Sequence, residues 1–174
     1  MTPPTNTVLT RWNDLDAEAA AREILPCCGS EDWANVLAAC RPFAGAQELF
    51  AASDKIWVAL PEPAWREAFD SHPRIGQQHA RAATAESLAW SSEEQRAAMS
   101  LDDAVKLALA AGNRQYEERF GRIFIVCASG KSAAEILAIL NARMRNTAAA
   151  ELLEAAEQQR QITQLRLRRW LGTD

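Results

Sequence analysis

Apolar residues return every third or fourth position through most of the chain, which is the spacing of helices with one buried face. "NDLDAEAAAREIL" (13–25) opens on capping residues and runs into Pro26, so it predicts a first helix. "GSEDWANVLAAC" (29–40) predicts a second, with Ser30 or Asp32 as cap and Trp33, Val36 and Leu37 on one face, stopping before Pro42. "AGAQELFAASDKIWVAL" (44–60) follows, with Leu49, Phe50, Ile56, Trp57 and Leu60 as core contacts, then the short "PEPAWREAFDS" (61–71), where Pro63 falls in a tolerant first turn. "SSEEQRAAM" (91–99) and "LDDAVKLALAAGNRQYEERF" (101–120) continue the helical pattern, the second closing at Gly121.

"RIFIVCAS" (122–129) breaks it. Its β-branched and aromatic density is that of a buried extended segment, and no second segment of that kind exists to pair with it. Its backbone donors and acceptors therefore need partners other than a sheet, either side chains or a ligand. "SGKSAAEILAILNARMRN" (129–146) returns to helix, with Ser132 and Glu135 in the spacing of a capping box. Thr147 can cap a last helix that ends near Leu171, before Gly172. The expected fold is all-α: a single-domain helical bundle over 1–174, with one short extended segment near 122–129 and a flexible tail at 1–10.

Composition changes this picture little. The 174 residues are 48% hydrophobic and 24% charged, as in an ordinary soluble domain. A formal net charge of −4 leaves no basic surplus to displace phosphate counterions, which argues against nucleic acid as a partner. No apolar run nears the roughly 20 residues that span a bilayer, and the N-terminal stretch lacks the pattern of a secretory signal. "GTD" at the C-terminus is not a peroxisomal address. Cys27, Cys28, Cys40 and Cys127 show no CxxC spacing and read as buried, reduced thiols, so a cytoplasmic protein is expected.

Candidate chemistry is sparse. "GKS" at 130–132 lacks the earlier glycine of a phosphate loop, since position 125 is isoleucine, and a helix cap explains Ser132 better. His72 and His79 are too few and badly spaced for a zinc site, so no metal is expected, and His79 reads as a solvated residue. His72 precedes Pro73, whose ring disfavours the helical conformation in the residue before it. That spacing is either a plain helix stop or a way of presenting an imidazole. Ser91 with Glu94, or Ser92 with Gln95, fits the capping-box template; Ser91, Glu94 and Gln95 also share one helical face, where a hydroxyl, a carboxylate and an amide could converge on a ligand. Arg166 is four residues from both Ile162 and Trp170, which lays its stem along an apolar face; it needs a carboxylate, carbonyls or a bound anion there. Arg168 and Arg169 read as pointing to water.

As an ordered set, "CCGSEDWA", "CRPF", "SHPRIG", the S-x-x-E-Q of Ser91, Glu94 and Gln95, "GNRQYEERFG", "FIVCASGKSAAEIL" and "LRL" resemble the 2-oxo-4-hydroxy-4-carboxy-5-ureidoimidazoline (OHCU) decarboxylase family. The resemblance runs from the first helix to the last. It implies a helical homodimer in urate breakdown that converts OHCU to (S)-allantoin and CO2 with no metal or organic cofactor. It carries catalysis onto His72 and Glu94. Substrate contacts fall on Pro73, Ser91, Gln95, Arg166 and the segment Ile125, Val126, Cys127, Ala128 and Ser129. Ala98 departs from the glycine common in the family shortly after the Glu-Gln pair. Two other readings remain at this level: a helical interaction domain without catalysis, and a hydrolase of another ureide using the same His/Glu pair.

Overall fold

The computed structural model describes residues 6–75, 85–96 and 103–173, with the side chains of 94–96 excepted. His79, Ala98 and Gly76 of "SHPRIG" therefore lie outside the described residues. Among those described the fold is all-α: α1 (Thr7–Asn13), α2 (Ala17–Ile24), a 3-10 turn (Leu25–Cys27), α3 (Glu31–Ala39), α4 (Ala46–Ala59), α5 (Glu62–Asp70), α6 (Ala85–Arg96), α7 (Asp103–Phe120), α8 (Ala133–Arg143) and α9 (Ala148–Leu171). The chain divides into two compact units, Met1–Glu67 with Arg160–Asp174, and Ala68–Gln159.

In the first unit, the start departs from expectation. Residues 7–10, placed in a tail by the sequence reading, are helical, because the Asn6 side chain accepts from the Val8 and Leu9 N–H groups and donates to Leu171 O at 2.8 Å. The helix expected over 13–25 is α2, which starts after its cap Asp16 accepts from Ala19 N–H, while residue 13 closes α1. Ser30 rather than Asp32 caps α3. Trp33 and Leu37 are fully buried, but Val36 is on the exposed side. Trp12 is also sequestered: its indole N–H donates to Ala20 O at 2.9 Å, and Trp170 meets the ring edge-on at 5.6 Å. Arg168 does not simply point to water; its guanidinium lies over the Phe50 ring, 5.0 Å from the centroid.

The second unit is built round the extended segment. Phe124, Val126 and Ala128 enter a core with Leu109, Tyr116, Phe120, Ala133, Ile136 and Leu140. Ile125 and Cys127 alternate with them and are buried as well. Residues 123–128 form neither helix nor strand, and among the described residues none pairs with them as a strand. The capping box at Ser132 and Glu135 forms with both bonds in place. Thr147 Oγ1 accepts from Ala150 N–H at the head of α9, and the helix ends one residue before Gly172.

The thiols differ from the uniform burial expected. Cys27, Cys28 and Cys127 are buried, whereas Cys40, the residue after the last turn of α3, is exposed. Burial pushes the Cys28 thiol up to about 12, outweighing its hydrogen bond with Thr163 and the nearby Arg166 charge. Since the thiolate is the reactive form, a disulfide reagent at neutral pH should titrate one fast thiol in the native protein and four after unfolding. Cys40→Ser should remove the fast one. Two or more fast thiols in the native protein would contradict this burial pattern.

Candidate functional site

His72 owes its position to the end of α5. Its N–H closes the last turn on Phe69 O at 3.1 Å, Ser71 Oγ donates to Ala68 O at 2.6 Å, and Pro73 bars a further turn. The imidazole is thereby left at a helix terminus, yet it is 9% exposed, and Pro73 is buried beside it. Its Nε2 lies 2.7 Å from Oε1 of Gln159, a fully buried residue of α9. An amide oxygen can only accept, so the contact is a hydrogen bond in the tautomer that carries hydrogen on Nε2. Nearby, Arg74 pairs with Glu117 of α7 through Nε and Nη2, and Asn113 of the same helix donates to Ile75 O at 3.3 Å.

The extended segment is fixed by side chains in place of a sheet. Gln158 Oε1 accepts from Cys127 N–H at 2.9 Å, Lys131 Nζ donates to Cys127 O at 2.8 Å, and Lys131 N–H donates to Ala128 O at 3.0 Å. Arg143 of α8 donates to Ile125 O at 2.6 Å. Arg143 is held in turn by buried Glu151 at 2.5 Å, whose carboxylate also accepts from Tyr116 Oη and Asn146 Nδ2. Burial, reinforced by its bond to Glu151, raises the Tyr116 phenol above its usual range, so Tyr116 stays the donor. The segment's stock of spare backbone groups is thus smaller than the sequence suggests: the Cys127 amide and the Ile125, Cys127 and Ala128 carbonyls all have partners.

Ser91 overturns its capping reading. α6 begins at Ala85, so Ser91 lies in the helix interior, buried, one turn after the equally buried Ser87. The template S-x-x-E was met by chance inside a helix that "AESLAW" had already started. Glu94 and Gln95 also belong to α6, three and four residues after Ser91. Ser129 is exposed at the turn after the segment. Arg166 belongs to the first unit, where it is fully buried and donates to Pro26 O at 3.3 Å.

Adjacent glutamines of α9 thus hold two of the sequence-predicted elements, His72 through Gln159 and the 125–129 segment through Gln158. Neither glutamine was singled out in the sequence. A signal was present: Gln159 falls on the helical stripe of Glu151, Ala155, Ile162 and Arg166, all buried. A polar residue at a core position needs a partner. Among the described residues no cluster of three or more metal-ligating side chains occurs, and no helix is long and apolar enough to cross a membrane.

A family model described as OHCU decarboxylase matches residues 13–168. The uric acid degradation bifunctional protein TTL of Arabidopsis thaliana is 35% identical over 142 residues, 81% of this chain and 44% of that protein. The 2-oxo-4-hydroxy-4-carboxy-5-ureidoimidazoline decarboxylase of Amia calva is 35% identical over 130 residues, 73% of either chain, and that of Mus musculus is 30% identical over 136, covering 76% and 74%. The chain therefore spans less than half the length of the Arabidopsis relative and about three quarters of the other two. Among solved structures, an OHCU decarboxylase crystallised in the presence of (S)-allantoin superposes with a TM-score of 0.74 at 34% identity, over 86% of this chain and 97% of that one. An (S)-allantoin synthase superposes with a TM-score of 0.68 at 20% identity, over 93% and 53%, a likeness of fold.

Proposed function

The chain belongs to the OHCU decarboxylase family, and we propose on that premise that it converts OHCU to (S)-allantoin and CO2 in urate degradation. The observation that carries this reading is a buried imidazole, His72, fixed through one nitrogen by Gln159 at the mouth of a proline-stopped helix.

The chemistry asks little beyond proton handling. When the C–CO2 bond breaks, its electron pair forms a double bond to the ureido-bearing ring carbon, and the displaced C=N pair moves to nitrogen, which takes a proton. The hydroxyl then loses its proton, its oxygen re-forms C=O, and the ring double bond takes up a proton at the ureido-bearing carbon. The face of that protonation sets the (S) product. The substrate supplies its own electron sink, so the protein's share is acid–base work near neutral pH, for which histidine suits best.

In this proposal His72 takes the hydroxyl proton, and Glu94 orients or relays it. Pro73, Ser91, Gln95 and the Ile125–Ser129 segment contact substrate. Arg166 is proposed as a contact on the family motif. A guanidinium clamped on the departing carboxylate would stabilise the ground state more than the transition state, so Arg166 is assigned to oxygens that gain negative charge. A homodimer, implied by the sequence resemblance, and a cytoplasmic location, expected from the reduced cysteines, complete the reading.

OHCU made in place from urate, with a urate oxidase and a hydroxyisourate hydrolase, tests it by circular dichroism. The protein should speed the appearance of optically active allantoin. An unchanged, slow racemic background would overturn decarboxylation and favour hydrolysis of another ureide.

A further inference from the structure

We propose that Gln159 is a positioning residue that locks His72 in its Nε2–H tautomer, so that Nδ1 is the nitrogen that exchanges protons with the substrate. The geometry stands apart from the decarboxylase reading; only the kinetic consequence rests on it.

Two observations converge. Gln159 is fully buried, and its amide oxygen lies 2.7 Å from Nε2 of His72, itself 9% exposed. An acceptor at that distance inside the protein favours the tautomer that places hydrogen on Nε2, because the alternative would set two lone pairs against each other away from water. In the neutral ring the basic nitrogen is then Nδ1. When Nδ1 takes the substrate's hydroxyl proton, the imidazolium keeps its Nε2–H···Oε1 bond, and the proton leaves again from Nδ1. Gln159 stays neutral throughout and exchanges no proton. A carboxylate would hold the imidazolium more tightly and hinder that return, whereas an amide fixes the ring without adding charge.

The second observation is the neighbour. Gln158 takes the Cys127 N–H at 2.9 Å, so consecutive residues of one helix fasten the imidazole and the extended segment. The rotation of α9 thereby sets both at once. Gln158 also provides the control, since it belongs to the same turn but does not bond His72 in this arrangement.

With only two histidines in the chain, selective 15N-histidine labelling gives a readable ring spectrum, and His79→Asn assigns it. At a pH where the ring is neutral, His72 in the wild type should show a predominantly Nε2–H pattern. Gln159→Leu should give mixed tautomers, and Gln159→Glu and Gln158→Leu should keep the wild-type form. In the OHCU assay Gln159→Leu should lower kcat at least tenfold with KM within about threefold of wild type. A predominantly Nδ1–H ring in the wild type overturns the inference, even where Gln159→Leu fails to fold. Mixed tautomers in Gln158→Leu overturn it too, since the effect would then be general loosening. A wild-type protein with the Nε2–H ring but no action on OHCU sinks the proposed reaction and upholds the tautomer lock.

Discussion

His72→Asn is expected to remove nearly all acceleration of OHCU decarboxylation while leaving a folded protein. Positioned general acid–base catalysis contributes roughly 10²–10⁴-fold, and asparagine cannot cycle a proton near neutral pH. The fall should appear in kcat, because the imidazole acts on the proton in flight rather than on the ground-state substrate. The fold should survive, since α5 is closed by the backbone of residue 72, not its side chain. The cost is local, the loss of one hydrogen bond of buried Gln159, about 1–3 kcal/mol. For a domain of this size that lowers the melting temperature by roughly 2–12 °C. Far-ultraviolet circular dichroism and thermal melts measure the second effect, and the coupled urate assay the first. An asparagine variant working within threefold of wild type would remove His72 from catalysis.

The largest stability effect is expected at Glu151. Its carboxylate accepts from Arg143, Tyr116 and Asn146 inside the second unit, and its side chain is fully buried. Glu151→Ala leaves the Arg143 guanidinium charged and poorly compensated, a loss of about 3–5 kcal/mol for a broken buried pair. With a urea m-value of about 2 kcal/mol/M, the midpoint should fall by roughly 2 M. The damage should reach the proposed site, because Arg143 also holds Ile125 O. The double change Arg143→Met with Glu151→Leu should lose less than the sum of the single changes, since removing both charges avoids the uncompensated one. Additive losses would show that the two side chains do not act as a pair.

Much of this architecture is legible along the chain because it rests on local chemistry. Ser30, Ser132 with Glu135, Thr147 and Gly172 mark helix ends by the groups they offer to a few neighbouring amides or by a permissive backbone, and all four do so in the fold. His72 is conspicuous for the same reason, standing before a proline. The failures share a cause as well. Ser91 matched a local template, yet the helix had started six residues earlier, so a local rule met a longer-range fact. Gln158 and Gln159 were passed over because their partners, Cys127 and His72, lie 31 and 87 residues away. Spacing within one helix shows that a residue faces inward, not which distant group it meets.

The side-chain fastening of the extended segment has a bearing on solubility. "IFIVCA" (123–128) is six residues of β-branched, aromatic or small side chains with no charge, proline or glycine, the composition that zips readily against copies of itself. In the fold, Arg143, Gln158 and Lys131 take backbone positions at Ile125 and Cys127 that a second strand would use. Arg122 and Lys131 bracket it with positive charge, as gatekeepers do around an unavoidable apolar stretch. The stretch best suited to seed aggregation is thus also the one proposed to read the substrate, and the clasps that shape it for one task restrain it from the other.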